Sequence, residues 1–215
     1  MIHDAVNYVD DARNIVRAEN LADIQEYLIK FNLLLLHYYG SNKLKLNDQK
    51  LQIMVLKGRF QRMISIKAED GTIVWNVAQI KILDIHVNPQ NDMMTNITRA
   101  QATAMHRMSQ LMPIVKQMKT IEQRRQCITA CVLLILRYCA PLYVGQKEEI
   151  HSKYHTAMMK AYRCILNENT YLMRNETICE KILLPMPREQ LAKDAVIFLH
   201  KLITNQKPVQ VYQRL

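Results

Sequence analysis

The spacing of the apolar residues changes at Pro89, and this change limits what the chain can fold into. Before Pro89, short runs of β-branched residues alternate with turn signals, and one stripe of helical periodicity interrupts them. After Pro89, apolar residues recur at intervals of three and four over long stretches, as in amphipathic helices. The sequence therefore predicts an α+β chain, β-rich over residues 1–90 and all-helical over residues 91–215.

The first part combines strand signals with one helix. HDAVNYVDDARNIV predicts two short strands around an Asp-Asp pair, and Asn20 is a suitable N-cap for a helix that stops near Gly40. Asp70-Gly71 is typical of a type I′ turn and predicts a β-hairpin. Further short strands are predicted over residues 44–47, 51–56 and 79–87.

The second part predicts five helices, bounded mainly by prolines. The first two are expected to end before Pro113 and Pro141, because proline disfavours a helical conformation in the residue that precedes it. In the third, Ile150 begins an apolar face that continues every three to four residues to Ile165. The predicted helices cover residues 92–111, 121–139, 147–166, 176–183 and 188–204.

Charge is distributed unevenly along the chain. The formal net charge is +10, but residues 1–90 carry 11 Lys and Arg against 10 Asp and Glu, whereas residues 91–215 carry 18 against 9. An excess of cations in one part favours a polyanionic partner for that part.

Two classes of protein are disfavoured by the sequence. The N-terminus lacks a basic region followed by an apolar run, and the apolar stretch over residues 130–136 is far shorter than the roughly 20 residues of a membrane span. The five cysteines are odd in number and form no Cys-x-x-Cys motif, which predicts neither a disulfide framework nor a zinc site. We expect an intracellular protein, cytoplasmic or nuclear, without a membrane partner.

The Tyr8-Val9-Asp10-Asp11 motif is the strongest chemical signal. Two adjacent carboxylates at the tip of a hairpin suit Mg²⁺, which prefers oxygen ligands and keeps positions open for substrate phosphates. A pair of such ions can activate an attacking hydroxyl and stabilise a leaving pyrophosphate. The alternative is an ordinary acidic turn.

Five patches of the sequence, in order, resemble reverse transcriptases of the non-LTR retrotransposon type. Residues 8–11 resemble the second catalytic motif, and residues 42–50, NKLKLNDQK, are similar to the segment G-L-x-L-N-x-x-K-T. Residues 80–85, IKILDI, resemble the primer-grip strand h-K-h-L-G-h, in which h is an apolar residue. Residues 137–143, RYCAPLY, and 162–165, YRCI, are similar to helical elements beyond the thumb.

The resemblance implies roles for the first part as a piece of the polymerase palm. Asp10 would be the shared metal ligand, with Asp11 as a secondary carboxylate, for Mg²⁺ or Mn²⁺. Tyr8 and Val9 would form a floor under the primer terminus, and Lys50 would lie near the incoming nucleoside triphosphate. The strand over residues 80–87 would hold the primer 3′ end through Lys81, Ile82 and Leu83.

The helical part would be the thumb and a C-terminal extension that contact the backbone of an RNA template paired with a DNA primer. Four cations lie around one predicted helix–helix turn: Lys116, Lys119, Arg124 and Arg125. They form either a phosphate clamp at a helix N-terminus that Thr120 caps, or a solvated loop.

Several departures from the family pattern limit the implied activity. Leu51 replaces a threonine, Lys43 a glycine, and Asp84 the glycine of the grip strand. Only seven residues precede Tyr8, whereas the family's other metal-binding aspartate lies far upstream. We therefore expect a truncated RNA-directed DNA polymerase, inactive by itself. The alternatives are a non-enzymatic, basic, helical nucleic-acid-binding module and a structural remnant; the oligomeric state stays open.

Two further pairs have metal-ligand spacing. His151 and His155 lie four residues apart but lack the glutamate of His-Glu-x-x-His, so we expect two exposed helical histidines. Cys127 and Cys131 share a helix face and are expected to be small core residues.

Overall fold

The chain divides into two compact units, residues 1–91 and 92–215. The computed structural model describes residues 2–8, 11–17, 20–43, 51–56, 65–67, 71, 73–168 and 170–205. Helices and strands are both present, so the predicted α+β class is confirmed. The assignment of palm and thumb is a proposal, to which we return below.

Unit 1 contains three antiparallel strand pairs and one long helix among its described residues. Strand β1 (Ile2–Tyr8) pairs with β2 (Asp11–Arg17), β3 (Ser65–Lys67) with β4 (Ile73–Trp75), and β5 (Ile80–Ile82) with β6 (Ile85–Val87); helix α1 covers Leu21–Ser41. The three pairs form separate two-stranded sheets rather than one continuous sheet.

Helix α1 begins where the sequence predicts. The side chain of Asn20 accepts a hydrogen bond from the backbone N–H of Asp23, with 2.8 Å between N and O. The predicted stop near Gly40 is confirmed to within one residue, because the helix ends at Ser41 and Asn42 caps it. The left-handed residue that follows the helix is Lys43, with φ +56°.

The predicted hairpin is confirmed, because β3 pairs with β4 and Lys67 lies opposite Ile73. Gly71 has φ +86°. The type I′ turn at Asp70-Gly71 stays a prediction, since Asp70 lies outside the described residues. The strand predicted over residues 51–56 is wrong: that segment has a single parallel bridge, between Ile53 and Asn76. The segment predicted as a strand over residues 44–47 lies outside the described residues.

The strand predicted over residues 79–87 is also wrong, because the chain reverses within it. Strands β5 and β6 pair through Ile82 and Ile85, and the two residues between them, Leu83 and Asp84, have φ +47° and +64°. Two consecutive positive φ values are those of a type I′ turn, for which leucine is a poor residue. The sequence therefore gave no turn signal at this position.

Helices are the regular elements of unit 2 among its described residues. The helices are α2 (Met94–Gln117), α3 (Ile121–Ile128), α4 (Leu134–Arg137), α5 (Ala140–Tyr143), α6 (Glu148–Leu166), α7 (Asn175–Ile182) and α8 (Pro187–Asn205). One π-helical turn, Thr129–Leu133, joins α3 to α4. None of the described helices combines the length and the apolar composition that crossing a membrane requires.

Two predicted helix ends are corrected. Pro113 lies inside α2, and the helix runs for one further turn beyond it to Gln117. Because proline has no backbone N–H, the helix continues past Pro113 without the hydrogen bond to the carbonyl four residues earlier. The helix predicted over residues 121–139 ends at Arg137 and contains the π-helical turn.

The core lies mainly in unit 2, around α6. The predicted apolar face of α6 is confirmed, since Ile150, Tyr154, Ala157, Ala161 and Ile165 are all buried. In unit 1, the structure describes the side chains of residues 20–43, 51–56, 65–67, 71 and 73–91, and among these Ile66 is the one buried apolar side chain.

Candidate nucleic-acid interface

The motif Tyr8-Val9-Asp10-Asp11 occupies the end of the β1–β2 hairpin. Tyr8 pairs with Asp11, so β1 ends and β2 begins on the two sides of the Asp10 position. The strand–turn–strand order predicted for this segment is thus present in the backbone. Val9 and Asp10 themselves lie outside the described residues, as does Lys50.

A magnesium ion at this hairpin fits the chemistry of the donor set. Mg²⁺ is commonly bound through one or two carboxylates together with substrate phosphates, and Asp10 and Asp11 would supply the two carboxylates. Elsewhere, the side chains that the structure describes include no group of three or more His, Cys, Asp or Glu residues able to hold a metal ion.

The predicted primer-grip residues lie at the tip of the β5–β6 hairpin. Lys81 Nζ lies 2.6 Å from Asp84 Oδ1, and both side chains are exposed. The hydrogen bond from Lys81 and then its charge lower the pKa of Asp84 below the usual range of a carboxyl group. Leu83 is exposed and Ile82 is half-buried. Asp84 thus offsets the cation that the prediction assigns to the primer.

Arg124 is buried and holds helices together. Its guanidinium donates to the backbone carbonyls of Ile165 (2.7 Å) and Leu166 (3.3 Å) at the C-terminal end of α6, and to that of Met118 (2.8 Å). The prediction of a surface cation is corrected for Arg124, because burial and these carbonyl partners remove it from the surface.

Arg125 makes an equivalent contact to a different helix. Its guanidinium donates to the carbonyl of Ile182, at the C-terminal end of α7, over 3.1 Å and forms an ion pair with Glu122. Two consecutive arginines of α3 therefore bind the C-terminal ends of two other helices, where carbonyl groups lack intrahelical partners.

The N-terminus of α3 is capped by the protein itself. Gln123 N–H donates to Thr120 Oγ1 over 3.2 Å, and Thr120 N–H donates to Gln123 Oε1 over 3.4 Å. The cap that the sequence predicts at Thr120 is confirmed, and it satisfies donors that a phosphate clamp would need. Of the four predicted cations, Lys116 and Lys119 are exposed.

The histidine pair on α6 is half-buried rather than exposed. His151 Nε2 donates to the carbonyl of Tyr143 over 2.8 Å. Burial, and then the charges of Arg188 and Arg163, lower the pKa of His155 below the usual value for histidine. The predicted core position of the cysteine pair is wrong for Cys131, which is exposed, while Cys127 is half-buried.

Sequence reasoning missed two features of unit 2. Arg137 and Asp194 form a two-pronged ion pair, with N–O distances of 2.9 and 2.6 Å, and no local signal connects residues so far apart. The second feature is the pair of cations on the outer side of α6, Lys153 and Lys160. A signal for it existed, since residues 150–167 contain no Asp or Glu.

No family model, curated protein or solved structure matches the chain. Its function is therefore argued from its residues and their geometry.

Proposed function

We propose that the chain is part of a reverse transcriptase of the non-LTR retrotransposon type, comprising the late palm, the thumb and a helical extension. The observation that carries this proposal is the pairing of Tyr8 with Asp11 in the β1–β2 hairpin. In this register the two strands flank the Tyr-Val-Asp-Asp motif, which supports the arrangement that the resemblance implies.

In this proposal, unit 1 provides the metal-binding carboxylates. Asp10 and Asp11 would hold Mg²⁺, or Mn²⁺ in its place, and the bound ion would neutralise the charge that develops on the transferred phosphoryl group. The neighbouring Tyr8 and Val9 would lie against the primer terminus. The substrates are an RNA template, a DNA primer and nucleoside triphosphates.

Unit 2 would bind the template–primer duplex through its phosphates. Residues 91–215 carry 18 Lys and Arg against 9 Asp and Glu, and a cationic surface attracts any nucleic acid regardless of its sequence. Such contacts position a duplex without reading its bases, which is what a polymerase requires of its thumb.

The second candidate is a non-enzymatic nucleic-acid-binding module. It is favoured by the distribution of the core, because nearly all buried apolar side chains belong to unit 2, which is also the basic unit, among the residues for which the structure describes a side chain (20–43, 51–56, 65–67, 71, 73–168 and 170–204). In that case the chain would bind duplexes, and Asp10 and Asp11 would form an acidic turn without a metal ion.

Mn²⁺ binding separates the two candidates. The full chain is mixed with an RNA–DNA hybrid and titrated with Mn²⁺, whose paramagnetic effect on water relaxation reports binding. The reverse-transcriptase proposal predicts a Mn²⁺ site that Asp10→Asn removes and that Asp4→Asn, a control on β1 of the same hairpin, retains. The binding module would be favoured if the chain binds the hybrid and the effect of Mn²⁺ on water relaxation is the same in the wild type and in Asp10→Asn.

A further inference from the structure

The outer side of α6 carries hydroxyl and cationic groups. Ser152, Thr156 and Lys160 follow one another at four-residue intervals, so they lie on one side of the helix, and all three are exposed. Lys153 lies beside them, half-buried. Beyond the first turn of α6, whose Glu148 and Glu149 are also exposed, Ser152, Thr156 and Lys160 are the exposed residues of this helix.

Helix α2 borders this strip. Lys153 Nζ donates to Thr98 Oγ1 over 3.3 Å, so the Thr98 side of α2 lies next to Lys153. Lys116 follows Thr98 by 18 residues, which is five turns of a helix with 3.6 residues per turn, and it too is exposed. We define the α2–α6 face by Thr98, Lys116, Ser152, Lys153, Thr156 and Lys160.

Acidic residues adjoin this face at the N-terminal end of α6. Glu148 and Glu149 are exposed there, four residues before Ser152 and Lys153, and Glu148 pairs with Arg188. Glu168, beyond the other end of α6, pairs with Lys181. Between these ends the face has no acidic residue, since residues 93–121 and 150–167 contain no Asp or Glu. Within the described residues, no salt bridge joins Lys153 or Lys160 to a carboxylate.

The face also has no aromatic side chain, since Tyr154 and Tyr162 of α6 are buried. Proteins that bind single strands usually stack bases on exposed aromatic rings, whereas contacts to duplex backbones come from lysine, arginine, serine and threonine. The composition of the α2–α6 face matches the second kind of contact.

We infer that the α2–α6 face binds the phosphodiester backbone of a nucleic-acid duplex. The inference rests on the proposed function and deepens it, because it assigns duplex binding to particular residues. It also moves the contact away from Arg124 and Arg125, which bind carbonyl groups of the protein. Lys153 and Lys160 supply the charge, while Ser152 and Thr156 supply hydroxyl donors beside them.

The test compares two double variants of the full chain with equal changes in charge. Lys153→Gln with Lys160→Gln removes the cations of the face, and Lys193→Gln with Lys201→Gln removes two exposed lysines of α8. Binding of a fluorescent RNA–DNA hybrid of about 20 base pairs is measured from about 50 to 200 mM salt. Circular dichroism checks that both variants fold.

We expect the Lys153→Gln, Lys160→Gln variant to bind the hybrid on the order of 10-fold more weakly at the lowest salt concentration. The slope of the logarithm of its binding constant against the logarithm of the salt concentration should become shallower by about 1.8, since each lost phosphate contact contributes about 0.9. The α8 variant should stay within about 2-fold of the wild type.

Three results would overturn the inference. Equal losses in both variants would show that only net charge matters, and the proposed function would survive. Tighter, Lys160-dependent binding to vesicles containing phosphatidylserine than to the hybrid would assign the face to a membrane surface. If the wild type fails to bind the hybrid at all, the proposed function fails as well. Lys160→Glu, a single exposed substitution, repeats the test should the double variant not fold.

Discussion

The guanidinium of Arg124 donates a hydrogen bond from Nε to the backbone carbonyl of Ile165, with 2.7 Å between the two atoms. This bond and its neighbour to Leu166 connect the first helical turns of α3 to the C-terminal end of α6, 41 residues further along the chain. The contact makes a residue that looks like a surface cation part of the core.

Replacing Arg124 should therefore reduce stability. Arg124→Lys keeps the charge but loses the planar set of donors, leaving buried carbonyls without partners, and we expect the free energy of unfolding to fall by about 2–3 kcal/mol. Arg107→Lys, on the exposed side of α2, should change it by less than about 0.5 kcal/mol. Chemical denaturation measures both. Unchanged stability in Arg124→Lys, with weaker nucleic-acid binding, would restore the surface role.

The pair formed by Arg137 and Asp194 should also stabilise unit 2. Asp194 is 10% exposed and accepts a further hydrogen bond from Gln190 over 2.8 Å. Asp194→Asn would leave the Arg137 charge partly buried without its partner, at an expected cost of about 3 kcal/mol. Glu148→Gln, which breaks the fully solvated pair with Arg188, should cost less than about 0.5 kcal/mol. Equal effects of the two substitutions in urea denaturation would contradict this interpretation.

The β5–β6 turn should be stabilised by a residue that adopts positive φ more readily than leucine does. Leu83→Asn places a residue that tolerates positive φ at the first turn position, and we expect the hairpin to gain about 0.5–1 kcal/mol. Amide hydrogen exchange at Ile82 and Ile85 measures this gain locally. Leu56→Asn is the matched control, because both leucines are 44% exposed but Leu56 has no positive φ. No added protection in Leu83→Asn would mean that the turn conformation differs.

His155 should make stability depend on pH. Because its pKa is lowered in the folded chain, the unfolded chain takes up the proton first as the pH falls through about 6.5, and folding is then disfavoured. The stability associated with neutral His155 is thus present above that pH and lost on acidification. In His155→Gln, urea denaturation between about pH 7 and pH 5 should show a smaller loss than in the wild type. Identical losses in the two proteins would rule out a contribution from His155.

Local signals predicted much of the secondary structure. Asn20 and Thr120 cap helices as expected, because capping depends on residues within one turn. The apolar face that begins at Ile150 is buried because it follows the helical period. The change of pattern at Pro89 separates the strand-containing segment from the purely helical one.

The remaining features depend on tertiary partners or on unfavourable local conformations. The Leu83–Asp84 turn has leucine, which seldom adopts positive φ, at its first position, so no propensity argument finds it. Arg124 and Arg125 find carbonyl partners on α6 and α7, which sequence spacing does not reveal. For the candidate site, the Asp10–Asp11 chemistry is read from the sequence. The acid-free stretch over residues 150–167 is a sequence signal for the α6 cations, whereas burial is needed to show which of its side chains are exposed.

The most direct test of the proposed function locates the metal ion on the nucleic acid. Fe²⁺ replaces Mg²⁺, and with ascorbate and peroxide it generates hydroxyl radicals that cut a labelled primer close to the bound ion. We predict cuts clustered at the primer 3′ end with the wild-type chain, lost in Asp10→Asn with Asp11→Asn and retained in the control Asp4→Asn. Uniform cutting along the primer, or a cluster that survives loss of both aspartates, would contradict the proposal.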